Sequence, residues 1–489
     1  MSKEKRLSHP MIGGIVGVSA LGLVLAAQFG FSQATQSGMA ELKEDLEGMP
    51  NVAVDQFDHE QGFRSGTLAY SLTYSPGPDE PLYPILVELT GDPQPEVPVS
   101  GKADVTAGPF TGSGLGVMAL SESWSEFGEG LEPDAAGALA EAEITMSFGR
   151  NLSAQAEIKD HDGRFSDEGG TVDYTAEGVR LDATSNESLE QVDLLASITL
   201  LDVKNSEGEG EQIKLQGVET RFDGEWAEDL SLWIGSATLG VDSGFFNLTG
   251  EINPEGTDRY DLEGLLFSAN VERGEEDDAD LLDMETRIDL GRFEDNTALD
   301  LGLTGSLRLS AERLHRPGMI ELGEAIAEHQ ERQPFRSNEE GILEAIGKTV
   351  SGAPRVELAL DDFGIRGDQQ TGNAAIAVSH TGDFTLNNVE RVLRSIGAEI
   401  DVVLPVVVVE DFLEVAMIQE AIDAGLSPEQ IDRRRLDAQV DGVIVELQGQ
   451  PYIDLQDGNL VIDSDIEDGI LSSGGRAVLD LTMFAPLLQ

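Results

Sequence analysis

The chain has no cysteine among its 489 residues. Disulfides and thiolate metal sites are therefore excluded, whatever the redox state of the compartment. Basic residues are scarce: 31 Lys and Arg stand against 92 Asp and Glu, for a net charge of −61, and only eight of the basic residues are Lys. Phosphate contacts need Lys and Arg, so this balance opposes a role in binding DNA or RNA. Histidine is also rare and scattered (His9, His59, His161, His315, His329 and His380). No His-x-x-x-His or His-Glu-x-x-His pair occurs, which removes the usual sequence support for a catalytic transition metal.

The acids run along the whole chain rather than gathering in a tail. Two readings stay open. One is an acidic surface for cations or basic partners. The other is salt adaptation, in which high net charge maintains solubility. The even spread and the scarcity of Lys favour the second.

Long apolar runs are missing with one exception. Met11–Phe31 is uncharged and apolar, follows Lys3, Lys5 and Arg6, and no Asp, Glu, Lys or Arg occurs between Arg6 and Glu41. About 20 apolar residues suffice to cross a bilayer. The basic side stays in the cytoplasm by the positive-inside tendency. A cleaved signal peptide is the alternative, with Ser32-Gln33-Ala34 as a cleavage site, but its apolar core is usually shorter. The sequence thus predicts a retained single-pass signal anchor with the main domain exported.

Beyond a polar connector at 35–60, strict alternation dominates, the mark of half-buried strands. Leu68, Tyr70, Leu72 and Tyr74 share one face; Val192, Leu194, Ala196, Ile198 and Leu200 repeat the pattern. Leu299, Leu301, Leu303, Leu307 and Leu309 continue it, interrupted by Gly305, a residue that often marks a bulge or close approach in a strand. Asp162-Gly163 and Glu207–Gly210 read as turns. With no helices between the strands, the pattern argues for an antiparallel meander.

Near 310 the period changes. Met319, Leu322, Ala325 and Ile326, then Ile342, Leu343, Ile346 and Val350, fit helices, with Ser337 and Glu340 as a capping box. A short helix at Val389–Ile396 ends at Gly397. Val402–Val409, containing Pro405, reads as a buried, bent strand. Helices follow at about 410–424 and from Ser427-Pro428-Glu429-Gln430. Val443, Val445 and Leu447 read as another strand, and Asp457-Gly458 as a hairpin turn.

The expected fold class is therefore α+β and β-rich. A long antiparallel meander forms an extended curved sheet, with a helical segment and a smaller α+β C-terminal part, preceded by one N-terminal membrane helix. The expected segments are 1–34 (basic tip and anchor), 35–309 (β-rich), 310–352 (helical) and 353–489 (α+β).

Three places carry a family resemblance. Phe57–Ser65 precedes an alternating strand in an aromatic-x-x-x-Gly-x-Phe-x-Ser pattern, Gly108-Pro109-Phe110 forms a short element, and the C-terminal order of helix, strand, helix pair and Gly-x-Leu hairpin (Gly458, Leu460) matches. In these the chain resembles the YdgA-like bacterial proteins, a domain of unknown function. The resemblance implies an inner-membrane anchor and a periplasmic domain, and supplies no activity and no catalytic residues.

No catalytic, cofactor-binding or metal-binding residue is assigned, and no cofactor is expected. Asp160-His161-Asp162 reads as an exposed turn. Gly112–Gly116 lacks the Lys-Ser/Thr of a phosphate loop. In Asp463–Gly469 the glycine stands at position seven rather than six of a calcium loop, with no Glu at twelve. Trp124, Trp226 and Trp233 read as core. The sequence ranks a non-catalytic envelope interaction module first, with an envelope protein as partner. A carrier of lipid or another hydrophobic ligand on a curved sheet is the alternative. The deciding observation is whether the Leu299–Leu309 face is covered or open.

Overall fold

The computed structural model describes residues 43, 47, 51–61, 65–75, 97–107, 118–127, 140–147, 151–167, 170–186, 190–205, 211–227, 232–249, 257–274, 280–295, 301–331, 339–366, 370–380, 389–424, 426, 430–450 and 452–483. The predicted membrane helix at Met11–Phe31, the Gly108-Pro109-Phe110 element, the Gly112–Gly116 run and the Glu207–Gly210 turn lie outside them. No described helix is long and apolar enough to cross a membrane. The chain divides into two units, 1–224 with 244–249, and 225–243 with 250–489.

The first unit is built from β1 (Val52–Gln61), β2 (Ser65–Tyr74), β3 (Val97–Ala107), β4 (Met118–Phe127), β5 (Ala140–Met146), β6 (Leu152–Ile158), β7 (His161–Asp167), β8 (Gly170–Glu177), β9 (Val179–Ser185) and β10 (Gln191–Asn205). From β1 to β6 each strand pairs antiparallel with the next. β6 pairs with β9 and β7 with β8, so residues 152–185 form one long hairpin kinked where Gly178 N donates to Asp160 Oδ1 at 2.8 Å. β10 then runs along both β9 and β8. The alternation read from sequence holds: Leu68, Tyr70 and Leu72 are buried on one face of β2. Ala176, Val179 and Leu201 form a local core with Ile158, Ile198 and Val203. Asp162-Gly163 is not a turn. It lies in β7, where Gly163 stands against the ring of buried Tyr174, and the absent side chain leaves room for that ring.

β11 (Gln212–Ala227) and β12 (Leu232–Thr249) carry residues of both units. The second unit adds β13 (Thr257–Arg273), β14 (Leu281–Asp295), β15 (Leu301–His315), β16 (Arg355–Ile365), β17 (Gly372–His380), β18 (Ile396–Pro405), β19 (Asp454–Gln456), β20 (Asn459–Glu467), β21 (Ile470–Ser473) and β22 (Arg476–Asp480). Its helices are α1 (Arg316–Glu331), α2 (Glu339–Thr349), α3 (Val389–Ser395), α4 (Val406–Asp423) and α5 (Arg433–Gln448). β13 to β18 form a consecutive antiparallel meander. β18 next pairs with β20, so α4 and α5 are an excursion between neighbouring strands. The hairpin predicted at Asp457-Gly458 is present, with φ of 51° and 83°. Asp468-Gly469 makes a second such turn (φ 51° and 79°). Positive φ at both central residues matches the right-handed twist of the flanking strands.

The structure corrects further expectations, beginning with the connector read at 35–60, whose last part is strand β1 (Val52–Gln61). β15 continues to His315, so the helical period starts later than 310. Gly397 does not end a helix; it sits in β18 opposite Ser379. Val406–Val409 is the first turn of α4, not strand, because Pro405 ends the ladder and serves as the helix N-cap residue. Val443–Leu447 is helical too. Leu436, Val440 and Ile444 are buried at four-residue spacing on α5, and that burial overrides the strand preference of the valines. The N-cap of α5 is Asp432, whose carboxylate accepts from Arg434 N at 3.2 Å. The proposed cap at Ser427–Glu429 lies outside the described residues.

Candidate functional site

In an antiparallel sheet, residues directly opposite each other share a face. Three rows can therefore be traced across β13, β14, β15, β16, β17, β18 and β20. The first is Val271, Met284, Ala311, Val356, Val378, Ala398 and Ile466. The second is Ala269, Thr286, Leu309, Leu358, Ile376, Ile400 and Ser464. The third is Phe267, Ile288, Leu307, Leu360, Ala374, Val402 and Ile462. All positions but Thr286 and Ser464 are apolar, and none is charged, in a chain whose residues are 25% charged.

This face is open. Leu309 is 48% exposed, Leu358 47%, Ile376 46% and Val378 45%. Phe267, Met284, Ile288, Leu307 and Val356 are also exposed. Together these side chains leave on the order of 600 Å² of contiguous apolar surface, the upper end of what ordinary monomers show.

The reverse face of the same strands carries the charge. Arg308 pairs with Glu357 at 2.8 Å, and Arg355 bridges Glu357 at 3.3 Å and Glu399 at 2.8 Å. Ala359, Ala377 and Ser310 lie buried among these rows. On β15 to β17 the charged face thus buries small residues between its ion pairs, while branched aliphatics are exposed on the apolar face.

Among the described residues of the second unit, the helices stand at the two ends of the strands and none lies over the middle of this face. At one end α1 follows β15 directly, and Arg313 Nε donates to the Gly352 carbonyl at 3.1 Å. At the other end the ladder creases. β14, β15, β16 and β17 all shift register between Leu290/Phe293, Thr304/Ser306 and Leu360/Phe363. Such bulges bend strands and re-aim side chains. Past the crease, Ile418 and Leu436 from α4 and α5 form a core with Leu301, Met417, Ile422 and Ile431. Arg366, at the end of β16, donates to Glu414 at 2.6 Å and to Asp411 at 3.3 Å on α4, while Arg433 donates to Glu414 at 2.8 Å. The Arg366 guanidinium, helped by Arg433, holds the Glu414 carboxyl below the usual range.

The predicted Leu299–Leu309 face is therefore divided. Leu301 packs under the helices, Leu307 and Leu309 lie on the open rows, and Leu299 is outside the described residues. The bulge and close approach expected at Gly305 are present.

The remaining sequence candidates have structural uses. Asp160 binds Gly178 N and Asp162 accepts from Thr175 Oγ1 at 2.6 Å, so both carboxylates hold a hairpin. Asp463–Gly469 is strand β20 and its turn, with Ser464 buried. Among the described residues no group of three His, Asp or Glu side chains is placed to hold a metal ion. Trp226 and Trp233 meet edge to face at 5.5 Å, and Trp233 is exposed rather than core.

The family described as Bacterial protein of unknown function (DUF945) matches residues 10–478. The chain belongs to this family. No curated protein and no solved structure matches it.

Proposed function

We propose that this family member is an envelope protein that binds a hydrophobic ligand on the open apolar face of its second unit. In this reading it is YdgA-like and non-catalytic. Met11–Phe31 anchors it in the inner membrane, with the rest of the chain in the periplasm. The exposure of Leu309, Leu358 and Ile376 on one uncharged face carries the proposal. From sequence alone an interaction module ranks first. The open face reverses that order, because an uncovered, charge-free aliphatic surface costs free energy in water until something covers it.

The test is native mass spectrometry with lipid extraction on the full chain, taken from membranes at high salt. A reproducible apolar ligand is expected, and it should be lost in a Leu309→Asp, Ile376→Asp double variant whose circular dichroism matches the parent. A ligand-free parent chain that crosslinks to one envelope protein would overturn this reading in favour of the interaction module.

A further inference from the structure

Resting on the apolar-ligand reading above, we infer that the occupant of the open face is the acyl chain of a lipid without net negative charge, lying across the strands. Four observations select it.

The first is shape. The exposed positions lie on five strands, β13 to β17, which at about 4.8 Å spacing span roughly 19 Å, while three rows two residues apart span about 14 Å. A single-leaflet acyl chain is about half of the roughly 30 Å hydrocarbon core, so one extended chain fits along the rows.

The second is chemistry. Small-molecule pockets place a few polar groups to orient the ligand. Here only Thr286 and Ser464 offer hydroxyls, and Ser464 is buried. Such rows select length and apolarity, the properties of a hydrocarbon chain, and no functional group.

The third opposes a protein partner. Interface anchors are enriched in Tyr, Trp and Arg, with Leu and Val under-represented. Apart from Met284, Thr286 and Ser464, the rows hold Leu, Ile, Val and Ala with one aromatic residue, Phe267, and no Tyr, Trp or Arg.

The fourth is charge. At −61 the chain repels a second copy of itself and any anionic headgroup. No Lys or Arg on the three rows offsets that repulsion. Arg287, Arg308 and Arg355 belong to the reverse face, and all three are engaged with carboxylates.

The test places photoreactive benzoylphenylalanine at Leu309 or Ile376 on the open face, or at Arg308 on the reverse face. The full chain is reconstituted into vesicles of equimolar phosphatidylcholine and phosphatidylglycerol. Mass spectrometry identifies the captured lipid. Positions 309 and 376 should capture phosphatidylcholine in excess of its share by about fivefold, the scale of one unit charge at a membrane surface, and position 308 should capture none. Equal capture of both lipids at 309 and 376 overturns the headgroup selection and leaves the apolar-ligand reading standing. Capture of a second copy, with no lipid at either position, overturns both.

Discussion

Gly305 and Phe363 pass so closely across β15 and β16 that a Cβ on Gly305 would stand 3.0 Å from the Phe363 Cα. Gly305 has φ of +136°, which L side chains rarely adopt. The contact lies on the crease that divides the leucine-rich face of β15. On one side Leu301 is packed beneath α4 and α5; on the other Leu307 and Leu309 face solvent.

Gly305→Ala should therefore destabilise the second unit by about 2 kcal/mol, since the backbone strain is of order 1–3 kcal/mol and the neighbouring atoms are backbone. Gly442→Ala is the matched control with the opposite sign. Gly442 lies inside α5, and a methyl group added there would meet nothing within 4 Å. Alanine there should stabilise by about 0.5–1 kcal/mol through helix propensity. Urea midpoints of the two variants check both signs.

How much of this was legible in the sequence differs by kind of information. Period-two alternation located β2, β10 and β15, because each turns a single apolar face, and Asp457-Gly458 marked its hairpin through local turn chemistry. The valines of α4 and α5 misled, because the identity of what they pack against decides between strand and helix, and that partner is distant in sequence. The open face was half legible. Alternation marks which side of a strand is apolar, whereas whether a helix covers it depends on where the chain returns. The Arg366–Glu414–Arg433 network left no local signal, since its members come from the turn after β16, from α4 and from α5.

Glu414 gives a pH prediction. Arg366 lowers its folded-state pKa, so the folded protein binds fewer protons there than the unfolded chain. The contribution is fully present above the ordinary glutamate value of 4.5. It is lost as pH falls through the lowered folded value. The side chains are partly exposed, so its size is about 1 kcal/mol. Glu414→Gln should lower stability at pH 7 by that amount, and the difference from the parent should vanish in acid. A constant difference at pH 7 and in strong acid would count against this ion-pair account.

The two apolar environments should answer truncation differently. Ile418 is fully buried between α4 and α5. Ile418→Ala should cost about 2–5 kcal/mol from lost transfer energy and the cavity left behind. Leu309 is nearly half exposed. Leu309→Ala should cost under about 1 kcal/mol while weakening capture of an apolar ligand. Thermal midpoints paired with lipid extraction separate the roles. A Leu309 variant that unfolds like the Ile418 variant would mean that the face is structural core.

Salt should act on the whole chain. A net charge of −61 gathers repulsion in the compact state that the extended chain relieves. The Debye length is about 10 Å at 0.1 M and about 3 Å at 1 M, so added salt removes interactions between carboxylates on neighbouring strands before it touches direct ion pairs. Pairs such as Arg308–Glu357 are few beside the excess of acids, so their weakening is the smaller effect. Folded structure should be lost below roughly 0.5 M salt and restored above it. Potassium and sodium chloride should serve equally if screening is the cause. Circular dichroism during dialysis into dilute buffer reads the transition, and an unchanged spectrum would mean that the acids serve binding instead of solvation.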